Sequence, residues 1–161
     1  MFTQLYLSPV GQLLLTVDDT ALVALHFYDE GRSYLLTDDA ACNDHAILQT
    51  AKHWLDVYFS GQEPNFMPPL RPVGTDFQQE VWQLLRAIPY GKTTTYGEIA
   101  AALAARHGIP QMSAQAVGGA VGRNPIPIFI PCHRVVGSGG KLTGYSGGLE
   151  KKQFLLSNEH I

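Results

Sequence analysis

Gly61-Gln62-Glu63-Pro64-Asn65-Phe66-Met67-Pro68-Pro69-Leu70-Arg71-Pro72 carries four prolines in twelve residues. Proline fixes φ and lacks an amide hydrogen, so neither a helix nor a central strand can run through this stretch. It reads as a linker, and the hydrophobic period differs on its two sides. Before it, Gln4–Ser8, Gln12–Val17 and Leu22–Phe27 are short β-rich runs separated by Pro9 with Gly11 and by Asp18-Asp19. His45–Tyr58 then has helical spacing, with Ile47, Ala51, Trp54, Leu55 and Tyr58 on one side. After the linker, Thr75-Asp76-Phe77-Gln78 has the form of a capping box, and Phe77, Val81, Leu84 and Ile88 recur at helical intervals up to Pro89-Tyr90-Gly91. Thr95-x-x-Glu98 opens a second helix with Tyr96, Ile99, Ala100 and Leu103 on one face, ended by Gly108-Ile109-Pro110. Ser113 caps a third, Ala114 to about Arg123, stopped by Asn124-Pro125. The fold class expected is α/β of the α+β kind. A small strand-rich N-terminal domain with a helix and the linker covers 1–72, and a mainly helical domain covers 73–161. The last two helices, short and joined by a turn, suggest a helix-turn-helix.

At 161 residues and 17.6 kDa, with 45% hydrophobic and 16% charged residues, the composition is that of a soluble globular chain. A chain of this size buries about two-thirds of its unfolded surface and needs no disulfides. No apolar run is long enough to span a bilayer, and Met1-Phe2-Thr3-Gln4 lacks the start of a signal peptide, which points to the cytoplasm and away from membrane partners. Cys42 and Cys132 are then expected as free thiols. Cys42-x-x-His45 offers two metal ligands, but no second pair stands near it in sequence, and no metal is assigned. The net charge of -3 divides unevenly: residues 1–70 carry nine acids and two bases, residues 71–161 five acids and nine bases. The basic half could meet a polyanion, although ordinary scatter gives the same pattern.

The chemistry concentrates in Asn124-Pro125-Ile126-Pro127-Ile128-Phe129-Ile130-Pro131-Cys132-His133-Arg134-Val135-Val136. An apolar, proline-rich strand is expected here, ending on a cysteine beside a histidine and an arginine. A thiol is a strong nucleophile only as thiolate, and nearby positive charge or an imidazole base promotes that form. Neighbours in an extended chain point to opposite sides, so a water would carry the proton from Cys132 to His133. Glu159 is the candidate acid to orient the imidazole. A buried cysteine packed as a small hydrophobe is the other reading, and chemistry alone leaves both open.

Pro131-Cys132-His133-Arg134-Val135 closely resembles the active-site motif of the O6-alkylguanine-DNA alkyltransferases, the methylated-DNA–protein cysteine methyltransferases. Thr75–Gln78, Ile88–Thr93, Tyr96-Gly97-Glu98, Ala116–Ala120, Asn124-Pro125 and Gly144–Leu149 follow the family order. The similarity covers nearly all of 73–161; before that it extends only to size and strand-rich character. It implies direct-reversal DNA repair: a single-turnover, irreversible transfer of the O6-alkyl group of guanine to Cys132. His133 would take the thiol proton through a water, oriented by Glu159. Tyr145 would donate a hydrogen bond or proton to the purine, and the Ser146 backbone would help hold O6. Carbonyls of Cys132 and Val135 would read the exocyclic amine, and Asn124 would tie the helix-turn-helix to the active-site segment. The partner implied is double-stranded DNA containing O6-alkylguanine, with O4-alkylthymine left open. The base is flipped through minor-groove binding by Ala114–Arg123. Ala114, Ala116, Gly118 and Gly119 would allow close approach. Thr95, Arg123 and Ser138 would meet phosphates, and Tyr96 would help rotate the nucleotide out. The protein is expected to be a monomer needing no cofactor.

Two features depart from the family pattern. Gln115 stands where many members have an arginine that fills the hole left by the flipped base, so flipping is expected to be retained but weaker. The stretch from Tyr96 to Gln115 is several residues longer than usual, implying an extended turn around 106–111, where Arg106 is either a phosphate contact or a solvated helix end. The rivals are a non-catalytic lesion-recognising relative, a Cys-His hydrolase and a helix-turn-helix regulator. The first lacks the nucleophile that Cys132 supplies, the second needs an oxyanion hole not evident here, and the third an effector region.

Overall fold

The computed structural model describes residues 1–161, which divide into two compact units, Met1–Val73 and Gly74–Ile161. No helix is long and apolar enough to cross a membrane.

In the first unit, β1 (Phe2–Ser8), β2 (Gly11–Val17) and β3 (Leu22–Phe27) form an antiparallel meander in that order. The turn at Pro9-Val10 pairs Ser8 with Gly11, which takes φ +100°. Asp18 accepts from the amides of Thr20 and Ala21, building the next turn at the expected acidic pair. A short helix α1 (Asp39–Asn43), capped by the Asp38 side chain, was not expected from the sequence. The longer α2 (Ala46–Phe59) buries Leu48, Ala51, Trp54, Leu55 and Tyr58. Its apolar face is thus rotated slightly from the expected one, with Leu48 buried and Ile47 half-buried. The proline-rich segment is irregular but not loose. Leu22 donates to the Pro69 carbonyl and Arg71 to the Leu22 carbonyl, so Leu70 lies along β3 in a parallel bridge. An Arg71–Asp18 ion pair reinforces it.

In the second unit, both capping boxes form. Thr75 and Gln78 exchange bonds at the start of α3 (Asp76–Arg86). After the two-residue strand β4 (Thr94–Thr95), Thr95 and Glu98 do the same for α4 (Tyr96–His107). Gly108, at φ +64°, ends α4 in the left-handed conformation that glycine adopts at no steric cost. Ser113 caps α5 (Ala114–Gly122). The three helices bury Val81, Trp82 and Leu85, then Ile99, Ala100, Leu103 and Ala104, then Val117, Ala120 and Val121 against one another. In α3 the buried face centres on Val81, Trp82 and Leu85, leaving Phe77 and Leu84 half-exposed, a shift of one position from the expected stripe. β5 (Val135–Val136) pairs in parallel with β4, and α6 (Leu149–Asn158) closes the chain.

Trp82 locks α5 in place. Its Nε1–H donates to the Ala120 carbonyl at 2.9 Å, near the end of α5, where that carbonyl also accepts from the Arg123 amide. Gly74 lies against the same ring, so close that a Cβ would come within 2.3 Å of it. Trp82→Phe keeps an aromatic body but removes the donor and part of the buried volume. It is expected to lower the unfolding free energy by about 1–3 kcal/mol in urea titrations.

Candidate active site

The approach to Cys132 is not the extended strand expected from its apolar residues. Pro125, Pro127 and Pro131 bring no amide hydrogens, so the segment cannot sustain a ladder and folds into a tight loop instead. The Ile130 amide donates to the Ile126 carbonyl at 2.9 Å, and Ile128 sits buried at φ +75°. Asn124, immediately after the α5 C-cap, spans this loop. Its Nδ2 donates to the Ile130 carbonyl at 2.8 Å, and its Oδ1 accepts from the Ile126 amide at 3.0 Å. Cys132–Arg134 is a single 3-10 turn, in which successive side chains diverge by about 120°. Adjacent in sequence, Cys132 borders a cavity while His133 is wholly buried.

Behind Cys132 lies a buried ionic network. His133 Nε2 is 2.5 Å from Glu159 Oε2, and Arg134 Nε donates to Glu159 Oε1 at 2.8 Å. Arg134 Nη1 also donates to the Ile88 carbonyl at 2.8 Å, and its Cζ lies 5.7 Å from the centre of the Tyr90 ring. The Gly91 amide donates to Glu159 Oε1 at 3.1 Å. Glu159 is the C-cap of α6 rather than a residue within it. Burial works against its charge, but the hydrogen bond from His133 and the charge and hydrogen bond of Arg134 outweigh that and hold the carboxyl down at about 2. Burial, helped by the Arg134 and Lys152 charges, keeps His133 below the ordinary histidine range in spite of Glu159. A neutral imidazole that donates from Nε2 to a carboxylate carries no proton on Nδ1, the state required of a general base.

Cys132 is pushed up to about 11 by burial, which outweighs the bond from Asn124, the Lys152 charge and the nearby backbone bonds. The neighbouring positive charge was expected to favour the thiolate; desolvation dominates, and the resting group is a thiol. Lys152, which no motif in the sequence singles out, is fully buried. Its ammonium donates to the carbonyls of Val135 at 2.6 Å, Thr143 at 2.8 Å and Gly144 at 3.4 Å. It thereby joins the segment after Cys132 to the segment carrying Tyr145. The sequence does carry a signal for it: Lys152, Leu155, Leu156 and Glu159 share one helical face, all buried.

Cys132 opens onto a cavity of about 710 Å³. One side is the face of α5, with Ala114, Gln115, Gly118, Val121 and Gly122; the other is Thr143, Gly144, Tyr145 and Ser146. Tyr96 adds to the wall, and its ring lies about 4 Å from where a Cβ on Gly118 would be. Of the residues expected at the site, Cys132, Tyr145, Tyr96, Ala114, Gln115, Gly118 and Ser146 therefore share one cavity. His133, Glu159 and Asn124 are buried and do not line it. Three others lie off it. The Thr95 hydroxyl caps α4, Arg123 is the exposed C-cap of α5, and Ser138 is exposed on a 3-10 turn, Ser138–Gly140. The carbonyls of Cys132 and Val135 already accept from the Val135 amide and from Lys152, so each has one further lone pair to offer a ligand. No group of three or more His, Cys, Asp or Glu side chains is gathered as a metal site.

These shifts fix the sign of the acid response. As pH falls below 6.5, the unfolded chain takes up a proton at His133 that the folded chain resists. Between 4.5 and about 2 it does so at Glu159 as well. Both make the unfolded state bind more protons, so stability falls with pH through both windows. Urea midpoints are expected to decline from neutral pH downward, and Glu159→Gln is expected to flatten the lower part of the profile.

Residues 76–161 match the DNA-binding domain of the 6-O-methylguanine DNA methyltransferases, and residues 1–72 match the ribonuclease-like domain of the same family. A methylated-DNA–protein-cysteine methyltransferase from Methanosarcina acetivorans is 43% identical over 99% of this chain and 98% of its own length. One from Haemophilus influenzae is 44% identical over 97% and 84%. Among solved structures, Mycobacterium tuberculosis OGT in complex with DNA superimposes with a TM-score of 0.82 at 41% identity, covering 99% of this chain and 92% of that one. The likeness to the family thus extends through the N-terminal half, beyond its size and strand-rich character. The chain belongs to the 6-O-methylguanine DNA methyltransferase family.

Proposed function

We propose that this protein repairs O6-alkylguanine in double-stranded DNA by transferring the alkyl group, once and irreversibly, to Cys132, and that residues 73–161 carry both the chemistry and the DNA binding. The observation that carries this reading is the pairing of a cavity-facing thiol with a buried, neutral imidazole held by a carboxylate. His133 accepts the thiol proton through a bridging water as the base enters. The sulfur attacks the alkyl carbon in line, the carbon–O6 bond breaks, and a thioether forms. Charge developing on the purine is met by a hydrogen bond or proton from Tyr145, with the Ser146 backbone holding O6. The remaining lone pairs on the Cys132 and Val135 carbonyls accept from the exocyclic amine. The thioether has no leaving group to restore the thiol, so turnover stops at one.

The DNA reading rests on the cavity wall. Helix α5 presents Ala114, Ala116, Gly118 and Gly119, small enough for close approach in a minor groove. Exposed Arg123 and Ser138 are placed to meet phosphates, and Thr95 does so alongside its capping role. Tyr96 crowds the target phosphate and favours rotation of the nucleotide into the cavity. Gln115 occupies the vacated stack and hydrogen-bonds the orphaned base. We assign the protein to the cytoplasm, acting as a monomer without a cofactor.

A single-turnover assay uses duplex DNA carrying O6-methylguanine, followed by intact-protein mass and peptide mapping. One methyl group on Cys132, with repair ending at one lesion per protein, is the expected result, and Cys132→Ala is expected to bind the lesion with no mass gain. Lesion binding by the wild-type protein without a mass gain would favour a recruiting role instead. Gln115→Arg is expected to speed repair of the duplex; an unchanged or slower rate removes Gln115 from the flipping step.

A further inference from the structure

Arg134 is the least explained member of the buried network. Its side chain is one-tenth exposed, yet it spends its donors on the carboxylate that also holds His133 and on the backbone of the loop after α3. The two Glu159 oxygens are divided: Oε1 takes Arg134 Nε and the Gly91 amide, and Oε2 takes His133 Nε2. A carboxylate held on one oxygen by a planar guanidinium cannot swing about its terminal torsion, so the other oxygen stays aimed at the imidazole. The Arg134 guanidinium is itself pinned by the Ile88 carbonyl and the Tyr90 face.

We propose that Arg134 is a positioning residue for alkyl transfer, sharing Glu159 with His133 so that the carboxylate is fixed in direction and part of its charge is drawn away from the imidazole. This rests on the reading of Cys132 as the alkyl acceptor. Without Arg134, Glu159 would act on His133 with its whole charge and hold the proton there. The general base would then be protonated at a higher pH, before Cys132 could use it. The charged and titratable groups around His133 are Lys152 from α6 and Glu159 from its C-cap, Cys132 and Arg134 from the turn of His133 itself, and Tyr90, facing Arg134, from the loop after α3. Lys152 and Arg134 both oppose protonation, but only Arg134 touches the shared carboxylate.

The test compares Arg134→Gln with Arg134→Lys in two measurements. One is the titration of the His133 ring by NMR. The other is the pH dependence of single-turnover methyl transfer from saturating duplex DNA with O6-methylguanine. Arg134→Gln is expected to raise the His133 midpoint by about one pH unit, the effect of losing a like charge at this range, and to move the acid limb of the rate with it. Arg134→Lys keeps the charge but not the planar fork. It is expected to leave midpoint and acid limb in place while the plateau rate drops about tenfold through misalignment. An unmoved midpoint in Arg134→Gln, or equal shifts in both variants, overturns the proposal. If Arg134→Gln does not fold, an unchanged plateau in folded Arg134→Lys overturns it alone. Failure of the wild-type protein to take up methyl on Cys132 would instead sink the reading of function on which this rests.

Discussion

The Glu159 carboxylate gathers three separate segments of the second unit around one buried negative charge. A carboxylate taken out of water costs several kcal/mol unless close donors replace its hydration. Here they come from the His133 ring and the Arg134 guanidinium on the 132–134 turn, and from the Gly91 amide on the loop after α3. Gly91 takes φ +76° and faces the Glu159 carbonyl at 3.4 Å from where a Cβ would be, so that loop approaches the end of α6 closely. The geometry of the base is therefore set by the packing of α6 and the loop after α3. Arrangements of this kind contribute less to net stability than to direction, since an unpaired member would be costly while the intact set roughly breaks even.

The nucleophile depends on the same logic applied to backbone groups. Three carbonyls converge where a hydrophobic side chain would leave them unsatisfied, and the Lys152 ammonium supplies a donor to each. On the other side, Asn124 satisfies both ends of the 126–130 loop and holds Ile128 at a positive φ that a β-branched residue adopts only at a cost of about 1–3 kcal/mol. Asn124 follows directly on α5, whose end Trp82 anchors. One continuous set of hydrogen bonds thus runs from the helix that lines the cavity to the turn that carries Cys132. A shift of α5 cannot leave the sulfur where it was.

What the sequence reveals follows from the range of the interaction concerned. The capping boxes at Thr75/Gln78 and Thr95/Glu98, the Ser113 cap and the Gly108 stop are local, and all are readable from a few neighbouring residues. The three strands are legible for the same reason, although the paired run of Leu13, Leu14 and Leu15, buried on both faces, carries no alternation. Longer-range features are not. Apolar residues between prolines suggested a strand at 125–131, but the chain there is organised by Asn124 from outside the segment. Leu70 lies on β3 through bonds that span most of the first unit. Cys132, His133 and Tyr145 lie in motifs that are legible as such, and Glu159 is legible as the acid a histidine base needs. Arg134 stands in the same motif as a positive charge beside Cys132, but its partners, a main-chain carbonyl and a carboxylate far along the chain, are not legible there, and neither is any role for Lys152.

A nucleophile held near 11 and a neutral base beside it describe a site that is quiet at rest. At neutral pH the protonated thiol is the favoured form. That suits the single, irreversible transfer proposed for Cys132, because a standing thiolate at the edge of a 710 Å³ cavity would meet oxidants and stray electrophiles before it met a substrate. In the proposed transfer, the proton leaves only when an acceptor for the sulfur's electrons is already in line, and Glu159 fixes His133 in advance as the base that would receive it. Burial, which suppresses the thiolate in the empty site, also strengthens every hydrogen bond once a base fills the cavity and excludes water. The same desolvation would therefore hold Cys132 in reserve and sharpen the one transfer proposed for it.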